Sequence, residues 1–192
     1  MSTPEFPAAA AEVARIVAGV RDDQLPDPTP CAGTPVAGLL DHAMGFTLAF
    51  RLAAEKTPLH GAPRADATQL PADWRERLPQ QLDDLVAAWA QPSASEGMAE
   101  AGGVEMPAPV MGVIALNETL VHGWDLAVAT GQPYRPDPGA AARCLEFVLE
   151  FGKAAPEARD GIYGPVVPVP DDAPVFDRLL GQTGRDPGWV SR

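Results

Sequence analysis

Residues 108–131 read APVMGVIALNETLVHGWDLAVATG. Of the stretches with a helical pattern this is the most apolar, and Gly131 is the residue type that commonly ends a helix. The spacing predicts a helix over 108–130. Glu118 and His122 interrupt its apolar run, four residues apart. A helix turns about 100° and rises about 1.5 Å per residue, so these two are offset by about 40° and about 6 Å and can meet at one point. Burying a carboxylate and an imidazole costs free energy unless a partner compensates them. Either they bond each other across one turn, or a metal ion holds both. Asp125 follows three residues on, on the same side, where it could orient His122 as the partners of metal-bound histidines do.

The same periodicity, followed outward, predicts three earlier helices. Phe6, Ala9, Val13, Ile16 and Val20 define one over roughly 4–22. A second is expected to be capped by Thr34, to carry Pro35 in its first turn and to run to about Lys56. Leu39, His42, Phe46, Ala49 and Ala53 share one of its faces. Trp74, Leu78, Leu82, Leu85 and Trp89 mark a third, which Pro79 must either kink or start. Residues 91–107 lack a helical pattern and hold at most a short extended segment. Leu145 and Leu149 predict a fifth helix near 138–152, and Asp171 or Asp172 could cap a last short one carrying Phe176, Leu179 and Leu180. The expected fold is all-α. A four-helix bundle over 1–131 carries a short helical and extended appendage over 132–192, the whole forming one domain. The loops are long enough for crossover connections, which leaves the bundle topology open.

Composition narrows the function. The chain has 192 residues, 46% hydrophobic and 21% charged, with a net charge of −12. That balance argues against nucleic acid, which needs a Lys/Arg footprint, and against an anionic membrane surface. No apolar run of transmembrane length and no signal-peptide pattern stands out, so a cytoplasmic protein is expected. Cys31 and Cys144 form no C-x-x-C pair, and a reducing compartment disfavours a disulfide between them. Cys31 has no neighbouring base in sequence that would make it a nucleophile.

A third metal ligand is sought among the other histidines. His42 lies on the apolar face of a predicted helix, whereas His60, in PLHGAP, is expected to be solvated. Bundle sites are built from inward residues of facing helices. Two His and one carboxylate leave coordination positions open, as catalytic zinc sites require, and imidazoles also accept Ni²⁺. Without metal, a buried Glu118 is expected to have its pKa raised by desolvation. Gly45 and Gly123 each cost a helix about 1 kcal/mol against Ala. They provide either room for a ligand or close helix packing. Trp124 suits a core or interface better than a pocket wall. Arg185 and Asp186 are expected to fasten the tail by hydrogen bonds, with substrate binding by Arg185 as the alternative.

From end to end, TPCAG, LLDHAMG, NETLVHGWDLAVATGQP, VPVPDDAP and RLLGQTGRDPGW resemble one family. It is the mycothiol-dependent maleylpyruvate isomerase N-terminal type, within the DinB-like superfamily of metal-binding four-helix bundles. The E-x-x-x-H-G-W-D-L-A stretch is the most specific part, and T-G-R-D-P-x-W resembles the stand-alone branch. The resemblance implies that His42, Glu118 and His122 match the family's metal ligands, usually assigned to zinc. Thr34 departs from it, standing where the family commonly carries Trp. The isomerase has a second domain that supplies part of its active site and that this chain is too short to hold, so isomerisation is not expected to carry over.

The resulting expectation is a metal-dependent enzyme that activates a low-molecular-weight thiol, mycothiol, for attack on a small electrophile. Two alternatives stand beside it. One is a hydrolase using metal-bound water, with Asp125 as the only nearby base. The other is a metal-stabilised ligand-binding bundle without turnover. A homodimer is compatible with all three.

Overall fold

The computed structural model describes residues 5–59, 66–154 and 156–191, so His60 lies outside the described residues. The described residues are all-α apart from one small hairpin. Four long helices, α1 (Phe6–Gly19), α2 (Val36–Ala54), α3 (Trp74–Trp89) and α4 (Ala108–Ala129), form the bundle. α1 and α2 each pack against both α3 and α4. α1 faces α2, and α3 faces α4, across the diagonals, and the chain between α1 and α2 crosses one end of the bundle. Phe6, Ile16, Leu39, Leu82, Leu85, Leu116 and Leu120 fill the centre, all essentially inaccessible. α4 buries 17 of its 22 residues. Its unbroken apolar sequence requires this, and α5 (Pro138–Ala154) covers the flank that α1 and α2 leave free.

Two local expectations, the caps of α2 and α7, are corrected, and the alternative left open for Pro79 is decided. Thr34 does not cap α2. The helix begins after Pro35, and no side-chain cap is present. The free N–H groups of Val36 and Ala37 donate instead to the Asp27 and Leu25 carbonyls, both at 2.9 Å, so the preceding loop folds back as the cap. Pro79 does not start α3 but lies inside it, five residues after Trp74. Neither Asp171 nor Asp172 caps α7 (Val175–Gln182): Pro174 is its N-cap residue, and 170–173 form a turn closed by Ala173 N–H to Pro170 O at 3.1 Å.

The extended segment expected within 91–107 is a β-hairpin, Met98–Ala101 paired antiparallel with Val104–Pro107. Its two-residue turn, Gly102-Gly103, takes φ of 61° and 81°, a conformation that favours glycine. The hairpin packs against α2 and α4. After α5, a short α6 (Pro156–Ile162) that the pattern does not predict leads to an extended strand-like run and then α7, which packs on α5. Past α7 the tail turns at Gly184, where φ is 81° and an added Cβ would lie 2.7 Å from the Gly164 Cα. Only glycine fits that crossing, and the turn carries Arg185 back toward α4. No helix among the described residues is long and apolar enough to cross a membrane.

Candidate metal centre

His42 projects from α2; Glu118 and His122 project from one side of the neighbouring α4. One ligand atom from each lies within 4.8 Å of the others. Glu118 Oε2 is 3.4 Å from His42 Nε2 and 3.3 Å from His122 Nε2. Donors bonded at about 2.0–2.1 Å around a tetrahedral ion stand about 3.3–3.4 Å apart, so the donor set and the two spacings from Glu118 fit a divalent metal. The imidazole rings stand nearly perpendicular, at 88°, with centroids 4.8 Å apart. Phe46, one turn after His42, stacks on the His122 ring at 6.1 Å and meets His42 edge-on at 5.5 Å.

The other nitrogen of His122 is held from behind. Its Nδ1 lies 3.0 Å from Asp125 Oδ2, and Asp125 is fully buried. Arg185 Nη2 donates to the same carboxylate oxygen at 3.1 Å, while Arg185 Nη1 donates to the Thr183 carbonyl at 2.8 Å. A chain of contacts thus runs from the C-terminal tail through Asp125 and His122 to Glu118. Arg185 points at Asp125, sixty residues away in sequence, in keeping with a tail-fastening role.

The expectation for Glu118 is also corrected. Burial pushes its carboxyl up, but the charge and hydrogen bonds of His122, and then of His42, outweigh burial and hold it well below the ordinary carboxylate range. Burial pushes His122 down; the Glu118 charge and the Asp125 hydrogen bond outweigh that and raise it to about 10. The two shifts describe one ion pair, counted once. The Glu118 part is present above about pH 4.5 and lost as pH falls toward its folded value. The His122 part is present below about pH 6.5 and lost as pH rises to about 10. Metal-free protein is therefore expected to gain most from this pair between about pH 4.5 and 6.5, and to lose on the order of a few kcal/mol by pH 9–10. Glu118→Gln should flatten that alkaline slope. Urea unfolding of chelated protein across pH measures it, and an unchanged slope in the variant would refute the pairing. With metal bound the trend reverses at low pH, where protons compete for all three ligands.

The two helical glycines separate. A Cβ on Gly123 would lie 2.6 Å from Val13 Cγ2 and 3.0 Å from the Tyr134 hydroxyl, so Gly123 serves close packing. A Cβ on Gly45 would meet nothing within 4 Å among the described residues. Gly45 lies on a half-buried strip of α2 with Asp41, His42, Leu48 and Ala49. That strip walls a cavity of about 580 Å³ closed by α3, the segment 69–71 and the hairpin, and His42 and Glu118 reach its surface. Met44, Phe46 and Phe50 supply apolar wall; Gln69, Arg77 and Gln81 supply polar groups. The sequence pattern does not pick out these last three, because they come from other elements. Trp124 is 6% exposed and belongs to the core. Cys31 is a free, half-buried thiol in the loop before α2.

No solved structure matches the chain. Two uncharacterized proteins of Mycobacterium tuberculosis, from strains CDC 1551 and H37Rv, are each 32% identical over 189 residues, covering 90% of this chain and 91% of the relative. The model of the mycothiol maleylpyruvate isomerase N-terminal domain matches residues 6–127. That span contains α1, α2, α3 and all but the last two residues of α4, with His42, Glu118, His122 and Asp125. Sequence match and bundle agree, and the chain belongs to the mycothiol maleylpyruvate isomerase N-terminal domain family.

Proposed function

We propose that the protein is an enzyme that holds one divalent metal ion, Zn²⁺ in first place, on His42, Glu118 and His122, and uses it to activate a low-molecular-weight thiol for attack on a small electrophile. The observation that carries this reading is a converging two-imidazole, one-carboxylate set that opens onto a cavity. The family's name points to mycothiol as the thiol. A bound ion supplies the positive charge that lets a thiol lose its proton near neutral pH, giving the nucleophilic thiolate.

The chain's own residues hold and shape the site. Asp125 fixes the His122 ring so that Nε2 faces Glu118, and Arg185 fixes Asp125. Phe46 covers the flank shared by both imidazoles. The cavity admits reactants beside His42 and Glu118, which favours turnover over a sealed structural ion. Asp125, the base that sequence suggests for hydrolysis, is fully buried between His122 and Arg185 and cannot take a proton from water in the cavity, so in a hydrolase that role would fall to Asp41, which lines the cavity beside His42.

A visible spectrum tests this. In Co²⁺-substituted protein, mycothiol is expected to shift the bands saturably through a new sulfur donor, and its alcohol analogue to leave them unchanged. No response at millimolar mycothiol would overturn the thiol reading.

A further inference from the structure

We propose that the C-terminal tail, residues 183–191, is a latch coupled to the metal centre. Docked on Asp125 through Arg185, it tightens the hold of His42, Glu118 and His122 on an ion, and the ion in turn holds the tail down. This rests on the metal part of the reading above and on none of its thiol chemistry.

Three observations converge. The first is the line of contacts. Arg185 Nη2 donates to Asp125 Oδ2 at 3.1 Å, and that same oxygen lies 3.0 Å from His122 Nδ1. The other ring nitrogen of His122 faces Glu118 Oε2 at 3.3 Å. A single carboxylate therefore stands between the tail and a metal residue. The second is how little else holds the tail. After Thr183 no described residue is fully buried, and Asp186, Gly188, Val190 and Ser191 are exposed. Segments with few buried contacts open locally at small cost, so one anchor governs the whole. The third is the backbone path. Gly184 turns at a φ of 81°, and its Cα side is so close to Gly164 that an added Cβ would lie 2.7 Å from the Gly164 Cα. That crossing aims Arg185 at Asp125. The family match ends at residue 127, so Arg185 reaches the site from outside the matched span.

Asp125 sets the sign of the coupling. It is fully buried, and Arg185 offsets its charge. An uncompensated buried carboxylate is costly, so without Arg185 it turns toward water and gives up the His122 ring. A ligand that loses its orienting partner binds metal less tightly. Arg185 is thus a positioning residue that acts through Asp125. Coupling between two binding events is reciprocal, so the factor that the docked tail adds to ion affinity is the factor that the ion adds to docking.

The test uses the full chain with Zn²⁺ and no thiol. In competition with a chromogenic chelator, Arg185→Met should weaken Zn²⁺ binding about fivefold to tenfold. Gly184→Ala leaves Arg185, Asp125 and His122 in place and displaces only the tail, and should weaken binding about fivefold. Trypsin reads the reverse direction in wild type. It must grip the Arg185 side chain, which is only 12% exposed when docked, so release of residues 186–192 follows undocking. Zn²⁺ should slow that release by the factor that Arg185→Met costs in affinity. A wild-type chain that binds no ion overturns the metal centre and the latch with it. Equal Zn²⁺ affinity in wild type and both variants, or release at Arg185 that Zn²⁺ leaves unchanged, overturns the latch alone. So does equal slowing at Arg185 and at Arg75 within α3, which would mean that the tail opens only when the whole chain unfolds.

Discussion

His42→Ala and His122→Ala are each expected to leave a folded helical protein without metal, and the wild-type chain is expected to hold one ion. Each histidine supplies one of three donor atoms that lie within 4.8 Å of one another. Removing one leaves two donors, a weaker chelate. Loss of a residue that only orients a ligand costs about 10–100-fold in affinity, so loss of a ligand should exceed that. Asp125→Asn is the internal comparison. It keeps the shape behind His122 but weakens its anchoring, and should fall in the 10–100-fold range. Elemental analysis of untagged protein, with circular dichroism to verify helicity, reads the result. Full metal content in both histidine variants would show that His42, Glu118 and His122 are a hydrogen-bonded cluster and not a ligand set.

What the sequence made legible depends on distance along the chain. Glu118 and His122 meet because one helical turn separates them, and any helix there would bring them together. His42 needed the bundle, yet its place on an apolar helix face and the scarcity of histidines pointed to it. The difference between Gly45 and Gly123 was not legible. Each is a glycine in an apolar helix, and what tells them apart is what stands opposite: Val13 and Tyr134 against Gly123, and no described atom against Gly45. The caps failed for a similar reason. Thr34 has the right chemistry, but the Asp27 and Leu25 carbonyls reach the first N–H groups of α2 through a loop path that no local pattern encodes. The Glu118 pKa went astray because desolvation can be read from an apolar helix. The compensating charges depend on two imidazoles placed at 3.3 and 3.4 Å, one of them on another helix.

The contact between Arg185 and Asp125 ties the C-terminal tail to α4, and its removal should have the largest effect on stability. Asp125 is fully buried, and the Arg185 side chain is only 12% exposed. Arg185→Met keeps most of the apolar stem but removes the guanidinium, leaving the Asp125 carboxylate with His122 as its one charged neighbour. Breaking a buried pair by deleting one partner costs about 3–5 kcal/mol when the other charge stays buried without compensation, and with His122 still beside Asp125 the lower end of that range is expected. That is a large share of the roughly 5–15 kcal/mol that keeps a domain folded. Adding Asp125→Asn to Arg185→Met removes the stranded charge, so the double variant should be more stable than Arg185→Met alone. The same pair separates a tail that is docked electrostatically from one that merely packs. If packing through Thr183 and Trp189 dominated, the second substitution would add its own loss and restore nothing. Urea denaturation of the four proteins of this cycle, all with metal removed, gives the coupling directly. An Arg185→Met protein within about 0.5 kcal/mol of wild type, the range of ordinary surface changes, would mean that the C-terminal tail does not support the metal residues.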